Sequence, residues 1–223
     1  MKPPKFISEI ELAEYVIKWL KEQGWEVYQE VQFNSVADIV AVKDNKSWII
    51  ECKTAFGLYI LEQAYNWWGC ANYISIAVPS IKRKKQPILK PLTDSLKIGL
   101  ITVSCKDWEG NRKIEELFKP PLQDITYENI INYLNEKQKN WAKAGNNRGE
   151  RYTKFKDTVY QIEEYLKNHP GSTMKEVVKN IKHHYSNDNN AQTAIRQWIE
   201  QGIIKNIEQK MEGKYYKYFY KNE

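Results

Sequence analysis

The sequence predicts an α/β chain in two parts: a larger domain built on a mixed sheet, then a smaller α+β domain. Three observations carry that prediction. β-branched runs are interspersed with helical periods over the first half of the chain. A small and polar stretch, Lys143-Ala144-Gly145-Asn146-Asn147-Arg148-Gly149, then interrupts the hydrophobic pattern. Beyond it come three amphipathic periods and two runs rich in isoleucine and tyrosine. The expected boundaries are a first domain over residues 1–140, a linker over 141–151 and a second domain over 152–223. At 223 residues the chain has room for both.

The first domain opens with a helix after Ser8, where Ile10, Leu12, Ala13, Val16, Ile17 and Leu20 recur at helical spacing. Gly24 to Tyr28 reads as a strand. Val36 to Val42 is a second, Lys43-Asp44-Asn45-Lys46 a turn, and Ser47 to Lys53 the returning strand. With the turn centred on Asp44-Asn45, Asp38 and Glu51 fall opposite each other. Their Cβ atoms are then roughly 5 Å apart, and like charges so placed destabilise a sheet. A divalent cation relieves this. Mg²⁺ takes hard oxygen ligands from one or two carboxylates and keeps its waters, with Mn²⁺ as the expected substitute. Strand alternation places Lys53 on the face of Glu51 and Cys52 on the other. An ammonium there can steer an attacking water or stabilise negative charge growing on a phosphate. The plainer alternative is a solvent-facing hairpin whose charges keep it soluble.

A helix from about Leu58 to Ala71, a strand from Tyr73 to Val78 and another from Leu96 to Val103 follow, and a helix from about Tyr127 to Lys139 closes the domain. Asp38, a spacer, then Glu51-Cys52-Lys53 on an Ile-rich strand resembles the PD-(D/E)XK, or restriction-endonuclease-like, nucleases, whose core is α-β-β-β-α-β. Ala37 stands where the family's proline would be. The resemblance implies Mg²⁺-dependent phosphodiester hydrolysis, with Asp38, Glu51 and the Cys52 backbone carbonyl as metal ligands and Lys53 assisting the water. It also implies a carboxylate from the first helix that holds a second metal or a water. Glu11 is favoured for this and Glu14 is the alternative. Yet Ser8-x-x-Glu11 is also a capping box, in which Glu11 would only satisfy a backbone donor. Gln63, one turn before Trp67, is a further candidate by resemblance to branches in which a Gln on this helix reaches the active site. A polar residue on a buried helix edge is its plainer explanation.

The formal net charge is +6, and Lys82-Arg83-Lys84-Lys85 concentrates it in a loop broken by Pro79, Pro87 and Pro91. Beside a nuclease cleft these side chains would grip phosphates, giving affinity without sequence information. A solvated surface is the alternative. Cys52, Cys70 and Cys105 show no metal-binding spacing and read as reduced core thiols. No apolar stretch approaches membrane-spanning length and no signal peptide opens the chain, so a cytoplasmic protein without a membrane partner is expected. The histidines accompany no Ser or Cys signature, and no phosphate-binding glycine loop occurs. Hydrolase triads, P-loop ATPases and histidine-metal nucleases therefore fit poorly.

In the second domain, Thr153 to Asn168 is an amphipathic helix. Ser172 caps a second helix from Met174 to about His184, with His183 and His184 in its last turn. Asn189 or Asn190 caps a third, Ala191 to Gln201, ended by Gly202. Ile203 to Ile207 and Lys214 to Tyr220 are two strands. Three helices followed by a hairpin resemble the winged helix-turn-helix domains. That implies DNA as partner, with Gln192, Thr193, Arg196 and Gln197 of the third helix facing base edges and Lys205, Lys210 and Lys214 holding the backbone. From Arg151 onward 13 Lys or Arg oppose 9 Asp or Glu. Many winged helices contact proteins instead, and that alternative stands. The expectation is a DNA endonuclease positioned by a winged helix in restriction, repair, recombination or a mobile element, acting as a homodimer or in a larger nucleoprotein complex. The competing class is a non-catalytic DNA-binding or regulatory protein that keeps the fold.

Overall fold

The structure, a computed structural model, describes residues 8–80, 87–104, 112–146 and 151–221. It divides into two compact units, Met1–Tyr152 and Thr153–Glu223.

In the first unit, Ser8 caps helix α1 (Glu9–Glu22), its Oγ accepting from the Glu11 N–H at 3.1 Å. Glu9 and Glu11 in the first turn suit the positive end of the helix. Strands β1 (Glu26–Gln32), β2 (Val36–Lys43) and β3 (Lys46–Cys52) form an antiparallel meander. Asp44 and Asn45 make the two-residue turn between β2 and β3 with φ of 49° and 57°, a left-handed pair that matches strand twist. Helix α2 (Leu58–Tyr65) crosses over to β4 (Tyr73–Pro79), which runs parallel to β3. Helix α3 (Leu89–Leu96), β5 (Gly99–Val103) and β6 (Ile114–Phe118) complete a six-stranded mixed sheet in the order β1-β2-β3-β4-β5-β6.

The sheet has a core on each face. Leu12, Ala13, Val16, Ile17 and Leu20 of α1 pack on Ile39, Ala41, Ile50 and Cys52. Ile60, Leu61 and Ala64 of α2, with Trp67, pack on Val40, Ile49, Ile74 and Ile76. Each large aliphatic side chain buried in this way contributes roughly 1.5–3 kcal/mol. The helices therefore lie on opposite faces, and successive residues of β3, and of β2 from Ile39 onward, alternate between them.

Several expected elements differ. Leu96 to Lys97 belongs to the end of α3, so the strand there begins only at Gly99. Pro91 is compatible with α3 because it falls in the first turn, where no intrahelical N–H is needed. The helix expected over Tyr127–Lys139 is two 3₁₀ turns, Ile130–Tyr133 and Glu136–Lys139. Asn129 and Asn135 each cap a new turn with their own side chains, and Leu134 between them is extended. The α2 helix stops at Tyr65, and the chain continues through tight turns in which Trp67 N–H donates to the Ala64 carbonyl and Cys70 N–H to that of Trp67.

Residues 141–146 of the expected linker are fastened to the first unit. Ala142 and Ala144 are buried, Ala144 N–H donates to Gln29 Oε1 at 3.1 Å and Asn146 N–H to Glu30 Oε1 at 3.2 Å. A side chain at Gly145 would meet the backbone of Glu9 at 2.9 Å, so its glycine permits the close approach.

The second unit contains α4 (Lys154–Asn168), β7 (Ser172–Thr173), α5 (Met174–Asn180), α6 (Asp188–Glu200), β8 (Ile207–Glu212) and β9 (Tyr215–Tyr220). Its antiparallel sheet has the order β7-β9-β8, one strand more than expected. Ser172 pairs in that sheet, and Thr173 caps α5 with Glu176 in a reciprocal box. Asn187 caps α6, earlier than Asn189 or Asn190. The chain from Ile203 is not strand, because Ile203 and Ile204 N–H groups close back on the Trp198 carbonyl after Gly202 at φ 70°. Ile162, Leu166, Val177, Ile195, Ile199 and Tyr218 are among the buried residues of its core.

Candidate active site

The β2–β3 register pairs Ile39 with Ile50 and Val40 with Ile49, which carried one step further sets Asp38 against Glu51. Their carboxyl groups lie in hydrogen-bond contact. Asp38 Oδ2 also accepts the Cys52 N–H at 2.8 Å, and Glu51 Oε1 the indole N–H of Trp67 at 2.7 Å. Glu51 is 2 % exposed, whereas Asp38 keeps an edge open to solvent. Burial pushes both carboxyls above their usual range, Glu51 strongly, and the charge of Asp38 adds to the rise at Glu51. A site that pushes two carboxyls up in this way favours a cation between them.

Lys53 stands just past the end of β3, and its Nζ donates to Glu9 Oε2 at 2.7 Å. Burial works against the ammonium, but the hydrogen bond and charge of Glu9, with the charges of Asp38 and Glu51, more than offset it and raise its pKa. Lys53 is thus set beside the two carboxyls as a charged hydrogen-bond donor.

The first helix thus meets Lys53 through Glu9, where the expectation was placed on Glu11. Glu11 Oε1 accepts from Arg112 at 2.8 Å, a guanidinium only 1 % exposed, so its carboxylate serves an ion pair. Glu14 pairs with Lys143 at 2.6 Å on the outer side of the helix. Helical geometry explains the difference: Glu9, at the first position of α1, reaches over the helix end toward the strand tip. Gln63 is half-buried on α2, with its Oε1 buried and without a hydrogen-bond partner.

Glu30 is a further carboxylate that patterning missed. It falls between the Gln29–Ile39 and Val31–Ala37 pairs of β1 and β2, opposite Asp38. Its φ of 52° breaks the alternation, so Tyr28 and Val31, three residues apart, both join the layer under α2. Burial, then the charge of Asp38, raises its pKa to about 7 against the N–H groups of Asn146 and Gly145.

Among the described residues no group of three or more His, Cys, Asp or Glu side chains stands in position to hold a metal ion. Asp38 and Glu51 are a two-carboxylate arrangement, the number Mg²⁺ commonly takes from protein while keeping waters and substrate oxygens. All-oxygen donors and two facing carboxylates fit such a cation.

Lys82, Arg83, Lys84, Lys85 and Cys105 lie outside the described residues. Cys52 and Cys70 are free and buried. In the second unit, Thr193, Arg196 and Gln197 are exposed on α6 and Gln192 is half-buried. Thr193 Oγ1 donates to the Asn189 carbonyl, and Arg196 places its charge near the buried Tyr218 hydroxyl. Lys205 and Lys214 are exposed, Lys214 beside Gly213 in the β8–β9 turn, while Lys210 pairs with Glu208 at 2.7 Å. His183 and His184 lie beyond α5, correcting the helix-end expectation; they meet Asp188 at 3.2 Å and Thr158 at 2.8 Å. A hollow of about 330 Å³, lined by Trp25, Lys43, Lys46, Trp48, Tyr73 and Lys119 among others, includes none of the candidate residues. No described helix is long and apolar enough to cross a membrane. Comparison of the chain with protein-family models, curated proteins and solved structures gives no match.

Proposed function

We propose that the chain is a Mg²⁺- or Mn²⁺-dependent DNA endonuclease of restriction-endonuclease-like fold, held on DNA by a C-terminal winged helix. The observation that carries this is the juxtaposition of Asp38 and Glu51 with Lys53 at the open end of their hairpin, away from the Asp44-Asn45 turn. The α-β-β-β-α-β order of the first unit supports the fold assignment. The helix and strand order of the second, with its short β7 beside β9, supports the winged helix.

In this reading Asp38 and Glu51 hold the cation, with the Cys52 carbonyl as a further ligand. The bound cation supplies neutralisation of phosphate charge and a lowered pKa for water. Lys53 donates to the phosphate or orients the attacking water, and Glu9 keeps its ammonium in place. Lys82 to Lys85 contact the backbone, while Arg196 and Gln197 with Thr193 face base edges and Lys205 and Lys214 hold phosphates.

The test is to incubate the full chain with supercoiled, linear, single-stranded and branched DNA in Mg²⁺, and then in excess EDTA. Cleavage of at least one duplex-containing DNA, abolished by EDTA, is expected. Binding to DNA without cleavage of any substrate in Mg²⁺ or Mn²⁺ would replace this reading with that of a non-catalytic DNA-binding protein.

A further inference from the structure

Glu51 is held at one oxygen by a donor that has no second chemical option. The indole N–H of Trp67 meets Glu51 Oε1 at 2.7 Å, and both residues are 2 % exposed. An indole nitrogen only donates, so the contact has one polarity at every accessible pH. Trp67 is itself fixed. It lies in the tight turns beyond α2, with its ring 6.4 Å from that of Phe33, which packs edge-on against Tyr133 at 4.5 Å. The Cys52 N–H occupies Asp38 Oδ2 in a comparable way.

We propose that Trp67 is a positioning residue that makes Glu51 a one-oxygen ligand and so favours Mg²⁺ and Mn²⁺ over Ca²⁺. The inference rests on the metal-dependent reading of the same site. Ca²⁺ accepts six to eight oxygens at about 2.3–2.6 Å and readily takes a carboxylate through both. Mg²⁺ requires a near-octahedral shell at about 2.0–2.1 Å, which suits one oxygen per carboxylate. With Oε1 committed to the indole, Glu51 presents Oε2. Removing the N–H frees Oε1, which loosens the carboxylate for Mg²⁺ and opens the two-oxygen mode to Ca²⁺. Loss of such an outer partner typically weakens metal binding about 10–100-fold.

The experiment is a Mn²⁺ titration of the full chain without DNA, free Mn²⁺ being read by electron paramagnetic resonance with Mg²⁺ and Ca²⁺ as competitors. The parent is compared with Trp67→Phe and Glu51→Gln, and thermal melting checks the fold of each. Trp67→Phe is expected to weaken Mn²⁺ and Mg²⁺ by about 10-fold or more while Ca²⁺ weakens less or tightens, so the Mg²⁺ to Ca²⁺ preference falls about 10-fold. Replacing Trp67 with benzothienylalanine by nonsense suppression changes only the N–H to sulfur. It must show the same loss of preference, and it decides the matter if Trp67→Phe does not fold. Equal weakening of all three ions, or unchanged affinities, would overturn the role of Trp67 and leave the metal-dependent reading standing. A parent that binds none of the ions any better than Glu51→Gln would overturn both.

Discussion

Glu30 combines burial, a left-handed backbone and a facing carboxylate, and each has a measurable consequence. Its pKa rises from 4.5 to about 7 because burial, and then Asp38, disfavour the charged form. The folded protein therefore binds this proton more tightly than the unfolded chain does. Its contribution is fully present below pH 4.5 and is lost as pH rises through about 7, a change of about 3 kcal/mol. Glu30→Gln should remove that fall and make the protein more stable than the parent at pH 8. Urea unfolding of both proteins at pH 4.5 and pH 8 checks this; an identical pH dependence in the two would contradict it. Glu30 was illegible in the sequence because simple alternation sets the faces of β1, and only its φ of 52° shows where that alternation fails. Asp38 and Glu51 were legible because a two-residue turn fixes register, and the turn was marked by Asp44-Asn45. Glu9 was not legible, since its meeting with Lys53 spans two elements 44 residues apart. Resemblance to the family's first-helix carboxylate drew attention to Glu11, whose partner Arg112 is farther still along the chain.

At the scale of elements, hydrophobic period located α1, β2, β3 and β4, each of which buries a continuous apolar face. It failed where side-chain hydrogen bonds compete with the helix. Asn129 and Asn135 divide one apparent helix into two turns, and Asn187 starts α6 ahead of its first buried residue, Ala191. Helix α3 escaped notice because prolines flank and enter it, and its end is made by Lys97 at φ 56°. That conformation strains a side chain with a Cβ, while the Lys97 and Ile98 N–H groups close on the Asp94 and Thr93 carbonyls. Lys97→Gly keeps those bonds and relieves the strain, so it should stabilise the protein by about 0.5–1 kcal/mol. The urea midpoint measures this, and a lower midpoint in the variant would count against the left-handed cap.

For the molecule as a whole, the two units have separate cores, one pair of layers on the six-stranded sheet and one around α4, α5 and α6. The second domain was expected from residue 152 and the second unit begins at Thr153, while Ala142, Ala144 and Gly145, which resemble a linker, pack closely on the first unit, Gly145 against Glu9 above all. A fragment over Thr153–Glu223 should melt cooperatively by itself and bind duplex DNA. In that fragment Arg196→Ala should cost about 1–3 kcal/mol at a preferred site if it reads a guanine. Even weakening on all duplexes, with a smaller salt dependence, would assign Arg196 to phosphate instead.

The most direct measurement of the central claim is the Mg²⁺-dependent rate at which the parent, Asp38→Asn and Glu51→Gln cleave whichever DNA the parent attacks best. Both substitutions keep hydrogen-bond acceptors for the Cys52 and Trp67 N–H groups and remove one of two facing charges. Their melting temperatures without added metal should therefore equal or exceed that of the parent. Both variants are expected to fold and to cleave at least about 100-fold more slowly, an effect of the size expected when one charge-stabilising group is removed. Parent-like cleavage by either folded variant would contradict it.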